Sequence, residues 1–341
     1  MLNSKNLLEC DKLKKIIFVL IILLGVYFYN SDLKEEIFNE NISKETKILN
    51  QQINKTTDEI KINIKNLENV KLGDSKEYLV SLIGSPDRID NSEYSFSWYV
   101  YNRYEKDFAM IGIEGEKVVA IYSNSINSIE LENIKINDNK ESVRKNYKPL
   151  EYKKKGNTRY IINSNDQYDI INIDNKYITV FYDIYENNRV RSYQVVSEQA
   201  EESLNGMYPK GSENLKRSLE LQTIDLVNST RLQNGLNSLK YSEKATLSSR
   251  YHSEDMMEKN YFDHVNKNNE NPFDRMKKQG IFYMGAGENI AAGQTSAVYA
   301  HEAWMNSEGH RKNILGDYKY IGVGVVFGGH YTIYYTQNFY I

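Results

Sequence analysis

Several things are scarce in this chain of 341 residues, which holds one cysteine, four prolines, two tryptophans and five histidines. The lone Cys10 cannot close an intrachain disulfide, so the fold must be held by packing. Cys10 also precedes the apolar run described below, whereas a lipid-bearing cysteine would follow it. Charge of one sign is lacking too: a net charge of −3 offers no electropositive footprint for nucleic acid. No histidine precedes His252, and all five fall between His252 and His330. Histidine titrates near neutral pH and is the commonest metal ligand, so histidine chemistry is confined to the last third of the chain.

Long apolar runs are also nearly absent. Lys12, Lys14 and Lys15 precede the one that exists, Ile16 to Tyr29. As a helix it would reach about 21 Å, against a hydrocarbon core of about 30 Å. That suits the core of a signal peptide, but no small-x-small cleavage site follows. Because lysines snorkel and flanking residues can fill the interface, we read residues 1–31 as a cytoplasmic tail and uncleaved signal anchor. The lysines place the N-terminus inside and everything after Asn30 outside; cleavage would instead release the protein. Residues 32–66 read as a solvated helical or disordered stalk.

A repeat follows. LENVKLGDSKE begins at Leu67 and LENIKINDNKE at Leu131, an offset of 64 residues. Each copy carries a helix-start pair, Asp74 with Glu77 and Asp138 with Glu141. The first helix is expected to stop near Gly84 and the second before Pro149. Hairpins with turns at Glu114-Gly115 and Asp174-Asn175 follow. Residues 67–198 therefore read as a duplicated helix-plus-antiparallel-sheet module that folds by itself and carries no chemistry. A linker over 199–213 leads to a last domain, 214–341.

That domain opens with a helix from about Leu215 to Gln233. Ser242 caps a second, on which Ala245, Ser249, His252 and Met256 share one face. A short helix follows Asn271-Pro272, and Ser296 caps another that Gly309 should stop. Two apolar strands, Ile321 to Phe327 and Tyr331 to Ile341, turn at Gly328-Gly329. The fold class is α+β.

Two resemblances follow. Residues 67–198 resemble the CAP-associated N-terminal domain through Gly84-Ser85-Pro86, the SWYVY run (Ser97 to Tyr101) and the hairpin after it. More specifically, NSTR (Asn228 to Arg231), HSEDM (His252 to Met256), YFDH (Tyr261 to His264), GENIA (Gly287 to Ala291), WMNSEGHR (Trp304 to Arg311) and IGVG (Ile321 to Gly324) occur in the order and spacing of the bacterial CAP superfamily. That superfamily groups the cysteine-rich secretory, antigen 5 and pathogenesis-related 1 (SCP-like) proteins. The resemblance implies an α-β-α sandwich whose cleft is lined by two histidines and two acids. Position by position the histidines are His264 and His310 and the first acid is Glu288. The second acid's place is taken by Ser307; Glu308 is adjacent, but one helical residue turns a side chain by about 100°.

Two neutral imidazoles and a carboxylate can hold a divalent ion such as zinc through His264 and His310. The same groups could act as general acid and base, with Ser307 beside His310 as a candidate nucleophile. Alternatively, Glu288 and the histidines brace loops in a hydrogen-bonded network. His252 is expected near the cleft or in the core, His301 mostly solvated beside core residues Ala300 and Trp304, and His330 in a turn. The functional expectation is binding of a lipid, cell-wall-related or protein ligand, or of a metal, at the cell envelope. A metal-dependent or serine hydrolase and a purely structural surface or spore-envelope component remain open.

Overall fold

A computed structural model describes residues 67–102, 108–125 and 133–341. The expected anchor over 1–31 and stalk over 32–66 lie outside these residues. Among the described residues no helix is long and apolar enough to cross a membrane.

Both repeats begin with the same local construction. Asp74 and Asp138 accept the backbone N–H of Lys71 and Lys135, each at 2.7 Å. Gly73 and Asn137 sit in the left-handed region, with φ of +90° and +75°. With the aspartates occupied by that turn, capping falls one residue later than expected. Ser75 caps α1 (Lys76–Ile83) by accepting from the Tyr78 N–H, and Asn139 caps α2 (Lys140–Asn146) by accepting from the Glu141 N–H. Gly84 ends α1, as expected, at φ +82°.

The strands are β1 (Arg88–Asn91), β2 (Ser97–Tyr101), β3 (Ala109–Glu114), β4 (Lys117–Ser123), the separate hairpin β5 (Tyr152–Lys155) and β6 (Thr158–Ile161), then β7 (Tyr168–Ile173), β8 (Lys176–Asp183) and β9 (Arg189–Ser197). The two repeats merge into one seven-stranded antiparallel sheet, ordered β1-β2-β3-β4-β9-β8-β7. Backbone bridges Ser75↔Lys117 and Asn139↔Arg189 tie each helix start to its own hairpin. The first turn falls at Gly115–Glu116, one residue later than expected, and Asp174–Asn175 turns between β7 and β8 as expected; but the positional counterpart of the first turn is Asn187–Asn188, these last two also with positive φ. Both candidates are chemically good tight turns; only docking against a helix start tells them apart. Across the β4–β9 seam, Tyr122 pairs with Gln194 at the centre of the resulting pseudo-twofold.

Where a bare linker was expected, Ser197 caps the short α3 (Glu198–Ser203). Then come α4 (Glu213–Gln233), β10 (Lys240–Tyr241), α5 (Glu243–Glu258), α6 (Pro272–Lys278), β11 (Ala286–Ala292), α7 (Ala297–Met305), α8 (Glu308–Ile314), β12 (Tyr320–Phe327) and β13 (Ile333–Tyr340). Gly309 does not stop α7: the break comes at Asn306–Ser307 and Gly309 lies inside α8. The four strands order as β10-β12-β13-β11. Gly322 and Gly324 let α5 lie directly on β12. A Cβ at either would come within 2.1 Å of a backbone nitrogen of α5, that of Thr246 or Arg250. Val323 and Val325 alternate to the other face and join Leu219 and Val227 of α4 and Ala300 and Trp304 of α7. This is the expected α-β-α sandwich.

The duplicated module is not self-contained. One face of its sheet is covered by its own helices, Leu79 and Val143 packing with Ile111 and Val180. The other face, with Phe96, Trp98, Met110, Tyr122 and Phe181, shares a single core with Leu219, Val227 and Trp304 of the C-terminal part. Polar ties cross the same seam: Arg88 to Asp225 at 2.6 Å, Ser192 to Glu302 at 2.6 Å and Arg311 to Asp183 at 2.8 Å.

Candidate functional site

Glu288 stands at the centre of the cluster. It lies on β11 with its side chain only 1 % exposed. One oxygen, Oε1, accepts from His264 Nδ1 at 2.9 Å; the other accepts from an Arg275 guanidinium nitrogen at 2.7 Å. Arg275, on α6, also donates to the carbonyls of His264 and Glu270, each at 2.8 Å, so one buried cation fixes both the acid and the loop that carries His264. The sequence reading missed it. The available signal was its place three residues past Pro272 and one before the core residue Met276, on the face that α6 turns inward.

His310 arrives on α8, and polar motif residues hold that helix. Asn289 Nδ2 donates to the His310 carbonyl at 3.2 Å, and Asn313 Nδ2 to the Glu288 carbonyl at 3.1 Å. Arg231 of the NSTR motif donates to the carbonyls of Ile314 and Gly316 at the other end of α8, at 2.8 and 2.7 Å. Trp304 Nε1 donates to the Ile290 carbonyl at 2.9 Å, fixing α7 to β11. Burial pushes the His310 imidazole below the ordinary histidine pKa, and its neighbour His264 adds to the push. It is therefore neutral at pH 7.

The other candidates separate. His252 is fully buried, 3.9 Å from Glu288 Oε1, and its Nε2 meets the Asp263 carbonyl at 3.0 Å. Burial drives its pKa down to about 4. Ser307 is the N-cap of α8 but makes no capping hydrogen bond, and among the described residues its hydroxyl has no bond to the His310 ring. Glu308 is exposed and pairs with neither histidine. His330 sits exposed in the β12–β13 turn, as expected. His301, expected in solvent, is fully buried: Thr230 Oγ1 lies 2.8 Å from its Nε2, and burial drives its pKa to about 3. The sequence shows the apolar face through Ala300 and Trp304 but not α4, whose Thr230 meets His301, nor the module sheet, whose Ser192 meets the next residue, Glu302.

A divalent ion does not fit here as a built-in cofactor. Both Glu288 oxygens are engaged by His264 and a guanidinium, leaving two imidazoles as donors. Among the described residues no group of three or more His, Cys, Asp or Glu is placed to hold a metal. Glu288, weighed in the sequence as a carboxylate beside the two imidazoles, is here held by His264 and Arg275. The electrostatics are those of a braced network, with the 46 % exposed His264 side chain as its outward member.

The fold and this cluster define a CAP domain, and comparison with known proteins agrees. The family model described as Cysteine-rich secretory protein family matches residues 224–339, and that described as CAP-associated N-terminal matches residues 72–207. The chain belongs to the bacterial CAP superfamily, in the form that carries this N-terminal associated domain. It is similar to YlbC, an uncharacterized membrane protein of Bacillus subtilis, with 31% identity over 79% of this chain and 82% of that protein. To YkwD of the same organism it is 49% identical over 32% of this chain and 43% of that protein. Among solved structures, an extracellular SCP-domain protein of Bacillus anthracis aligns with a TM-score of 0.67 at 26% identity, over 79% of this chain and 93% of that one. A cysteine-rich secretory protein of Staphylococcus aureus shares the fold, with a TM-score of 0.65 at 16% identity, over 79% and 91%.

Proposed function

We propose that this chain works outside the cytoplasm, held at the membrane by its N-terminal segment, and that its CAP domain binds a ligand at the face carrying His264 and His310. The observation that carries this reading is the asymmetry of His264. Its Nδ1 is held by buried Glu288 while nearly half of the side chain is exposed, so Nε2 is oriented toward solvent by a fixed partner. Glu288 and Arg275 position; His264 and neutral His310 contact the ligand. Phe262 and Val265, each 44% exposed, flank His264 and favour a ligand that combines hydrogen-bonding groups with apolar surface, as lipids, cell-wall peptides and protein segments do. The absence of any activated hydroxyl at Ser307 favours binding over hydrolysis.

The test is a titration of the histidine-labelled protein with muropeptides, phospholipid micelles and zinc in turn, following the imidazole NMR signals. The His264 and His310 signals should move with one organic ligand and those of His301 and His330 should not. Zinc should bind no more tightly to the parent than to His310→Ala. If no ligand moves His264, or if zinc alone moves both at stoichiometric concentration, the reading fails.

A further inference from the structure

Two of the most exposed apolar side chains among the described residues stand two positions apart, Phe282 at 92% and Met284 at 87%. They project from the loop between α6 and β11, and that loop is well anchored. Ile281 is 2% exposed and, with the half-buried Tyr283, packs against Met276 and Ala286. The Ile281 N–H donates to the Met276 carbonyl at 3.2 Å, the Met284 N–H to the Ile341 carbonyl at 2.7 Å, and the Ile341 N–H to the Gly285 carbonyl at 2.9 Å. Inward and outward side chains alternate as along an extended strand, so Phe282 and Met284 are held away from the core.

Lysines collar the base of this prong. Lys244 Nζ donates to the Gly280 carbonyl at 3.1 Å, and Lys277 Nζ lies 6.0 Å from the centre of the Tyr283 ring. Lys278 pairs with Glu270. The acids nearby are already engaged, Glu270 by Lys278 and Asp274 by the Asn271 N–H that it caps.

We infer that this loop docks on a bilayer surface: Phe282 and Met284 enter the acyl boundary while Lys244 and Lys277 meet anionic headgroups. Apolar side chains above a cationic collar are what interfacial anchoring requires. The inference rests on the reading that the chain is held at a membrane. Such a tether makes docking intramolecular, so a weak contact suffices. A second copy of the chain is a poorer occupant. An aromatic side chain offers roughly 150–250 Å², and two side chains fall well short of the about 800 Å² per partner that a stable interface buries.

The experiment places Phe282→Trp in the full chain, reconstituted into phosphatidylglycerol–phosphatidylethanolamine vesicles with brominated acyl chains. Trp98 and Trp304 are each 1% exposed, so the added indole alone should report contact with bromine. Its emission should be quenched, and less so when phosphatidylcholine replaces the anionic lipid. Unquenched emission from protein that floats with the vesicles overturns the inference. If the full chain does not float, the anchoring reading has failed by itself. Residues 63–341, the compact unit that holds both the shared core and the module's own, then decide the docking separately by cosedimentation. At least tenfold weaker binding of F282S/M284S than of the parent upholds it; equal binding, or none by the parent, overturns it. An emission blue shift of Phe282→Trp that grows with protein concentration without vesicles would assign the loop to a second copy and overturn it too.

Discussion

Replacing Glu288 by alanine removes both acceptors at the centre of the cluster. His264 loses its 2.9 Å bond and Arg275 its 2.7 Å bond. Arg275 is 6% exposed and its Nε already lacks a partner. Breaking a buried pair by removing one member typically costs about 3–5 kcal/mol, because the remaining charge is uncompensated. The guanidinium keeps the carbonyls of His264 and Glu270, which places Glu288→Ala at the lower end, about 3 kcal/mol. At about 2–4 °C per kcal/mol, calorimetry should find the melting temperature lowered by roughly 6–12 °C. Glu288→Gln separates charge from shape. Its oxygen can serve Arg275 only if its amide faces His264, so Nδ1 must accept and the imidazole proton moves to Nε2. A smaller loss of about 1–2 kcal/mol is expected, with a changed tautomer pattern in the ¹⁵N spectrum of His264. If Glu288→Ala melts within about 1 °C of the parent, a few tenths of a kcal/mol, Glu288 does not hold the site together.

Buried His301 should make stability depend on acid. Its folded pKa of about 3 lies below the unfolded value, so the unfolded chain takes up protons first and stability falls as pH drops from about 6.5 toward 3. Urea midpoints should show the parent losing about 2 kcal/mol relative to His301→Gln between pH 7 and 5; parallel curves would refute this. The comparison with a variant is needed because buried Glu93, pushed up to about 7, acts in the opposite direction, destabilising as pH rises above its unfolded value. A chain of residues 214–341 alone would expose the part of the core that the module covers, and light scattering should show aggregation where residues 63–341 stay soluble. A soluble, cooperative melt of 214–341 would restore the independent folding that the sequence suggested.

The elements themselves were legible, because caps and stops are local chemistry. Ser242, Ser296 and Asn271 mark their helices, and Gly84 ends its own. His264, Glu288 and His310 could be named from motif order, and the structure joins the first two directly. What escaped the reading is what crosses between segments. Arg275 on α6 neutralises Glu288 on β11, and Asp183 of the module grips Arg311, the residue after His310. His301 is buried against Thr230 of α4, with Arg191 of the module close enough to lower its pKa, and no periodicity on α7 records that. The hairpin equivalence went astray for the same reason, since a turn's sequence states its shape and not its neighbour.

The strand order of the C-terminal sheet bears on how the chain can be made. β13 lies between β12 and β11, so the strand carrying Glu288 has no partner within its sheet until residues 333–340 have been synthesised. The module, although made first, waits as well: Phe96, Trp98 and Phe181 stay bare until the later helices arrive to cover them. A stop a dozen residues early would leave β11 and β12 without the strand that joins them and would open the shared core where Ile333, Tyr335 and Phe339 close it.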